Sequence, residues 1–202
     1  DPGRKQDRSS VPGYKYAGAY RLLDAANMIG YLFASFLLPY IARNRSDGKM
    51  TTNVVLNVRH VLIVFSITVS CIVIFLAPWI QKVLYHHNDP DFIEVLQWCV
   101  PALIGYSLVQ VYSAVLTATG HIIVLGFITL VSVVINIAIN ILLIPSLGAT
   151  GSCLAALISQ AFCAVTTMWF ARQKLNIPIN IRSGLIYIFI GGLVYGLLYV
   201  SK

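Results

Sequence analysis

The sequence predicts an all-α polytopic membrane protein, and three observations carry the prediction. Six apolar stretches, approximately 17–42, 54–79, 94–119, 122–145, 149–171 and 183–200, each have the roughly 17–25 residues with which a helix crosses a bilayer. Of the 202 residues, 58% are hydrophobic and 10% charged, whereas about a quarter of a soluble domain is charged. Mean hydropathy is +0.80. In lipid each backbone N–H and C=O needs a partner within the protein, and a helix supplies these inside one segment. The pattern excludes soluble enzymes, nucleic-acid-binding proteins and secreted disulfide scaffolds. The net charge of +7 comes from Lys and Arg spread among short loops, where they face lipid head groups and set topology.

A polar tail, residues 1–16, precedes the first span, and Asp1–Ser10 lacks the apolar core and cleavage site of a signal peptide. Within the first span Arg21, Asp24, Met28, Tyr31 and Ser35 recur at three- and four-residue steps. They therefore share a face, with Asn27 at its border. An ionisable side chain at the centre of a membrane helix costs roughly 2.5–3.5 kcal/mol and marks a functional site by default. Arg21 and Asp24 sit in the first turns of the span, where they can pair as an interfacial anchor. Alternatively, Arg21 lines a polar cavity and grips an anionic group such as phosphate through its guanidinium fork. Asp24 would then position Arg21 or take up a proton. Pro39, near the end of this span, is a candidate hinge.

The second span is expected to end at Pro78. In the third, Pro101 removes a backbone hydrogen bond and predicts a kink. Tyr106, Gln110, Ser113 and Thr117 form its polar stripe. A tight turn at Gly120–His121 leads to the fourth span, whose stripe is Thr129, Ser132, Asn136 and Asn140. Pro145 is expected to end it before a turn at Ser146–Gly148. The fifth span offers Ser152, Ser159 and Thr166, with Gln160 beside them. The sixth carries Gly192 and Gly196 at the spacing of close helix contacts. Stripes of this kind are expected to face the bundle interior, where they hydrogen-bond between helices or line a path for solute.

Orientation follows from the loops. Arg43, Arg45 and Lys49, with Arg59 a little further on, follow the first span, and Arg172, Lys174 and Arg182 follow the fifth. Both loops are thereby placed on the cytoplasmic side, and Ile80–Ile93 on the outer side. The basic tail, with Arg4, Lys5, Arg8 and Lys15, runs against this parity. The chain opens on Asp1 and stops just past an apolar span, as a piece of a longer protein would. Cys71, Cys99, Cys153 and Cys163 all fall inside apolar spans and form no CxxC pair, so they are expected to be small core hydrophobes. The loop His86–Asp91 offers His and Asp five positions apart, as in some membrane acyltransferases, but no supporting nucleophile or oxyanion motif accompanies it. It is read as a solvated outer loop. No nucleotide, dinucleotide or zinc motif appears. No catalytic residue, metal or cofactor is assigned, and transport would be secondary.

A family resemblance rests on several stretches. Gly13–Leu23, reading GYKYAGAYRLL, resembles the opening of this helix in polysaccharide-biosynthesis flippases of the oligosaccharide-lipid (Wzx) type. Leu38–Arg43 is similar to the Pro-containing, basic close of that helix, and Val115–Gly120 to the turn after the third. Ile135–Gly151 resembles the family's pattern of two Asn one turn apart, then Pro and two Gly. The resemblance covers about Gly13–Arg172. It implies the multidrug/oligosaccharidyl-lipid/polysaccharide exporter fold, a transporter of roughly 12–14 helices in two lobes. Residues 17–202 would be most of the C-terminal lobe, partnered by a missing N-terminal lobe. The implied activity is alternating-access transfer of a lipid-diphosphate-linked oligosaccharide across the bacterial cytoplasmic membrane. Membrane lipids, and a polysaccharide polymerase and glycosyltransferases, would be partners. Arg21 is the position matching the family's basic cavity. Tyr31, Tyr106, Gln110, Ser113, Asn136 and Asn140 join it as candidate substrate contacts, and Pro39 and Pro101 as hinges.

Two other functions fit the same chain. A cation-coupled drug or metabolite antiporter of the same fold would use buried carboxylates, for which Asp24 and Glu94, both near helix ends, are the candidates. A membrane acyltransferase would use the His86–Asp91 loop.

Overall fold

The computed structural model describes residues 11–44, 47–85 and 90–175. These form α1 (Val11–Arg43), α2 (Gly48–Tyr85), α3 (Pro90–Cys99), α4 (Ala102–Ala118) and α5 (Ile122–Leu175). Among the described residues four stretches are long and apolar enough to cross a membrane: Leu23–Arg43, Gly48–Ile80, Ile93–Ala118 and Ile122–Lys174. The expected sixth span, 183–200, lies outside the described residues, as do tail residues 1–10.

The last stretch holds both the fourth and the fifth expected spans, because α5 folds back on itself at Gly148. There φ is 56° and ψ is −129°, a left-handed conformation that favours glycine. Across the turn Gly151 lies against Leu143, so closely that a Cβ would meet the Leu143 carbonyl oxygen at 2.7 Å. Deeper in, Asn136 Nδ2 donates to Ser159 Oγ at 3.0 Å. Both pairs centre on the same point of the chain, so arms 122–147 and 149–175 run antiparallel. Pro145 does not end its helix; the reversal comes at Gly148.

The third span breaks where Pro101 requires it, between α3 and α4. Ser70 Oγ of α2 donates to the Val100 carbonyl at the break, at 3.3 Å. The second span overruns its expected limits of 54 and 79. At its start Asp47 Oδ1 accepts the Met50 N–H at 3.1 Å, a side-chain cap that begins the helix at Gly48. At its end Pro78 is carried inside α2. Proline leaves the carbonyl four residues earlier without its helical donor. That carbonyl belongs to Ile74, and the side-chain amide of Gln97 donates to it at 3.4 Å. Likewise α1 runs on through Pro39 to Arg43.

Antiparallel polar rungs join α2 to the α3–α4 pair along its length. Besides the contacts at Ile74 and Ser70, Ser66 and Ser107 share a 2.6 Å hydrogen bond. Arg59 Nη1 donates to Tyr112 Oη at 3.2 Å. Around these rungs Leu37, Ile41, Val55, Leu62, Val115 and Ala171 form one core cluster. Val73, Ala77, Val95, Leu96 and Cys153 belong to another, around the break. All four cysteines are free and buried, as small core residues. α4 ends at Ala118 and is closed beyond it by the Gly120 N–H reaching Thr117 O at 3.0 Å and the His121 N–H reaching Leu116 O at 2.8 Å.

The face of α1 departs from expectation. Leu23, Asn27, Gly30, Leu37 and Ile41 are the buried side, whereas Arg21, Asp24, Met28, Tyr31 and Ser35 are exposed. Of the stripe, only Tyr31 borders a cavity against the described helices, and the other four residues are exposed outside it. The reason is packing: Gly30 brings α1 onto α4 so closely that a Cβ would overlap the side-chain oxygen of Gln110. Asn27 and not Asp24 supplies the polar contact, its Oδ1 accepting from Gln110 Nε2 at 2.7 Å.

Candidate functional site

The polar stripes of the third, fourth and fifth spans meet in one place. A cavity of about 470 Å³ opens between α1, α4 and the two arms of α5. Five of the eight candidate contacts line it: Tyr31, Tyr106, Gln110, Ser113 and Asn136. Thr129, Ser132, Ser159 and Gln160, noted as stripe residues but not chosen as contacts, complete its polar wall. Periodicity located the stripes; the α5 hairpin brings them opposite one another.

Six of these polar side chains are held by their own helix or a neighbour. Ser113, Thr129, Ser132 and Ser159 donate to carbonyls three or four residues earlier, at 2.8–3.1 Å. Gln110, 6% exposed, is fixed by Asn27. Asn136 gives its amide N–H to Ser159 and takes one from Asn140 Nδ2 at 3.0 Å. Asn140 thus supports the wall from behind and borders a separate apolar groove with Ile137, Ile141, Ile144 and Pro145. Of the pair one turn apart, only Asn136 faces the cavity.

Arg21 and Asp24 are not part of this cavity. They lie on the exposed side of α1, and among the described residues no ion pair joins them. Arg21 precedes Tyr31 by ten residues, about 15 Å along the helix. The charged candidate and the uncharged cavity are therefore separate places on one helix. Pro101 stands at the break below the cavity helix, and Pro39 in unbroken α1. Of the alternative acyltransferase loop, His86–Asp89 lie outside the described residues. Among the described residues, no group of three or more His, Cys, Asp and Glu is placed to hold a metal.

One residue was missed. Arg59, taken for a cation near the loop, is 4% exposed. It lies eleven residues past Gly48, about 16 Å into α2. Its guanidinium meets the fully buried Tyr112 hydroxyl, and Nη2 meets His60 Nε2 at 3.3 Å; its Nε has no partner. The available signal was position: Arg59 stands five residues inside the second expected span, between Val58 and His60.

Compared with known families, residues 6–201 match the model of the lipid II flippase MurJ. No curated protein matches the chain.

Proposed function

The chain belongs to the lipid II flippase MurJ family, and from that premise we propose that it moves a lipid II-type peptidoglycan precursor across the bacterial inner membrane. The match over residues 6–201 is the observation that carries this reading. It favours a peptidoglycan precursor over the polysaccharide cargo that the Wzx-type resemblance implies, within the same class of lipid-linked flippases.

The physical task is to carry a polar head through about 30 Å of hydrocarbon while its lipid tail stays in the bilayer. A polar wall must replace the head group's hydration. Tyr31, Tyr106, Gln110, Ser113 and Asn136 are placed to do so. Arg21 would meet the phosphate charge from the exposed face of α1, with Asp24 one turn on to orient it. No bond is made or broken in this task, so it needs no catalytic residue or cofactor. Lipid-linked substrate and surrounding lipids are the partners the task requires. Pro101, between α3 and α4, is the candidate hinge for alternating access.

The test is complementation with the full-length gene in bacteria depleted of their own lipid II flippase. Native protein should restore growth. Arg21→Ala should abolish rescue at normal protein level, and Arg21→Lys should recover part of it. The motif resemblance described above favours a second reading, an oligosaccharide-lipid flippase. Failure to rescue, together with restored surface polysaccharide in a host lacking that flippase, would select it.

A further inference from the structure

We propose that the cavity between α4 and α5 is a phosphate-excluding subsite that takes the uncharged, hydroxyl- and amide-bearing part of the cargo's head group. The inference rests on the flippase reading and adds a division of labour: the neutral group is held in the cavity and the charge outside it. The first argument is the wall's charge. Among the described residues lining the cavity there is no Asp, Glu, Lys, Arg or His.

The second argument is where the protons point. A hydroxyl has one proton and two lone pairs. Ser113 gives its proton to Gln110 O, Thr129 to Leu125 O, Ser132 to Ile128 O and Ser159 to Ala156 O. Each hydroxyl is left as an acceptor. Two amides have one N–H committed as well, Gln110 to Asn27 and Asn136 to Ser159. Gln160 and Tyr31 add groups that can both donate and accept. The four hydroxyls therefore present acceptors, and the donors the wall adds, such as those of Gln160 and Tyr31, are uncharged.

An anion is stabilised by cations and by N–H or O–H donors. Phosphate oxygens here would face the lone pairs of four hydroxyls and no cation, so stripping their hydration would be poorly compensated. Sugar hydroxyls and amide N–H groups have the opposite chemistry: they bring donors and carry no charge. Their water can be exchanged for the oxygens of Ser113, Thr129, Ser132 and Ser159. The volume, about 470 Å³, falls within the roughly 300–1,000 Å³ of small-molecule sites. Arg21 stands about 15 Å away along α1 by helix rise, far enough to hold phosphate outside the subsite.

The test uses full-length protein in lipid nanodiscs with two probes, a neutral disaccharide of 2-acetamido sugars and inorganic diphosphate. Binding of each is followed by saturation-transfer NMR. Thr129→Val keeps the side-chain shape and deletes an acceptor; Gln160→Leu is the second variant. Losing one hydrogen bond of about 1 kcal/mol weakens binding roughly fivefold. Each variant should therefore weaken the disaccharide by about that factor and leave diphosphate unchanged, while Arg21→Ala should do the reverse. The proposal is overturned if diphosphate competes with the disaccharide in native protein, if the variants weaken diphosphate, or if native protein binds no disaccharide. Displacement of the sugar by a monovalent cation would also overturn it. Flipping of a fluorescent lipid-linked precursor by the same native sample separates the two levels. Sugar binding without flipping defeats the flippase reading alone; flipping without sugar binding defeats the subsite alone.

Discussion

Replacing Gly30 with alanine should weaken the seam between α1 and α4, although alanine is the better helix former. Gly30 is buried, and a Cβ on it would overlap the side-chain oxygen of Gln110. The flexible amide can swing aside only by giving up its 2.7 Å bond to Asn27 Oδ1. Asn27 is 4% exposed, so its oxygen would stay buried without that donor. Such a loss costs about 1–3 kcal/mol, and the change from Gly to Ala in a helix returns about 0.8–1.0 kcal/mol. The net destabilisation is about 1 kcal/mol, which lowers the midpoint of a chain this size by roughly 2–4 °C. Thermal unfolding of purified protein in detergent, followed by tryptophan fluorescence, measures it. The decisive control is Gln110→Ala, which removes the obstruction. In that background Gly30→Ala should stabilise by its helix propensity alone, so the effect changes sign. A midpoint raised by Gly30→Ala in the native background, or the same sign in both backgrounds, would refute the reasoning.

Other perturbations test the remaining contacts. Tyr112→Phe deletes the hydroxyl that accepts from Arg59 at 3.2 Å; a hydrogen bond to a charged group contributes about 1.5–3 kcal/mol, and an unchanged unfolding midpoint would deny it that role. Gln97→Leu should destabilise by about 0.5–1.5 kcal/mol by leaving Ile74 O without its side-chain donor. The same change should have little effect in a Pro78→Ala background, where the helix supplies the missing N–H. All four cysteines are buried and free, so maleimide should label none quickly in the folded protein and all four in detergent-denatured protein; rapid labelling of any of them before denaturation would contradict the packing.

The first five spans were legible because they rest on length and hydropathy, which one segment reveals alone. The reversal near Gly148 and the break at Pro101 were legible too, since glycine and proline impose backbone states whatever surrounds them. The limits of α2 were not. Its start depends on Asp47 reaching Met50, and its passage through Pro78 on an amide from another helix. The facing of the α1 stripe was only partly legible for a related reason, since Tyr31 borders the cavity and the other four residues do not. Spacing shows that Arg21, Asp24, Met28, Tyr31 and Ser35 share a face, but not whether that face packs. Gly30 decides it, by admitting Gln110 on the opposite side. In the candidate site, periodicity found Gln110, Ser113 and Asn136 on separate helices. Their convergence, and the exclusion of Asn140 from the wall, depend on pairings such as Asn136 with Ser159 that span 23 residues. Arg59 escaped because a lone basic residue near a loop looks like a topology signal until its neighbours are known.

Reconstitution tests the central claim most directly. Purified full-length protein is placed in vesicles with a fluorescent lipid II analogue, and the label's exposure to a membrane-impermeant reductant is followed over time. Native protein should bring label from the inner to the outer leaflet faster than empty vesicles do. Arg21→Ala should slow this roughly tenfold or more, the rate equivalent of losing one charged hydrogen bond. Native protein no faster than empty vesicles, or Arg21→Ala as fast as native, would contradict the account.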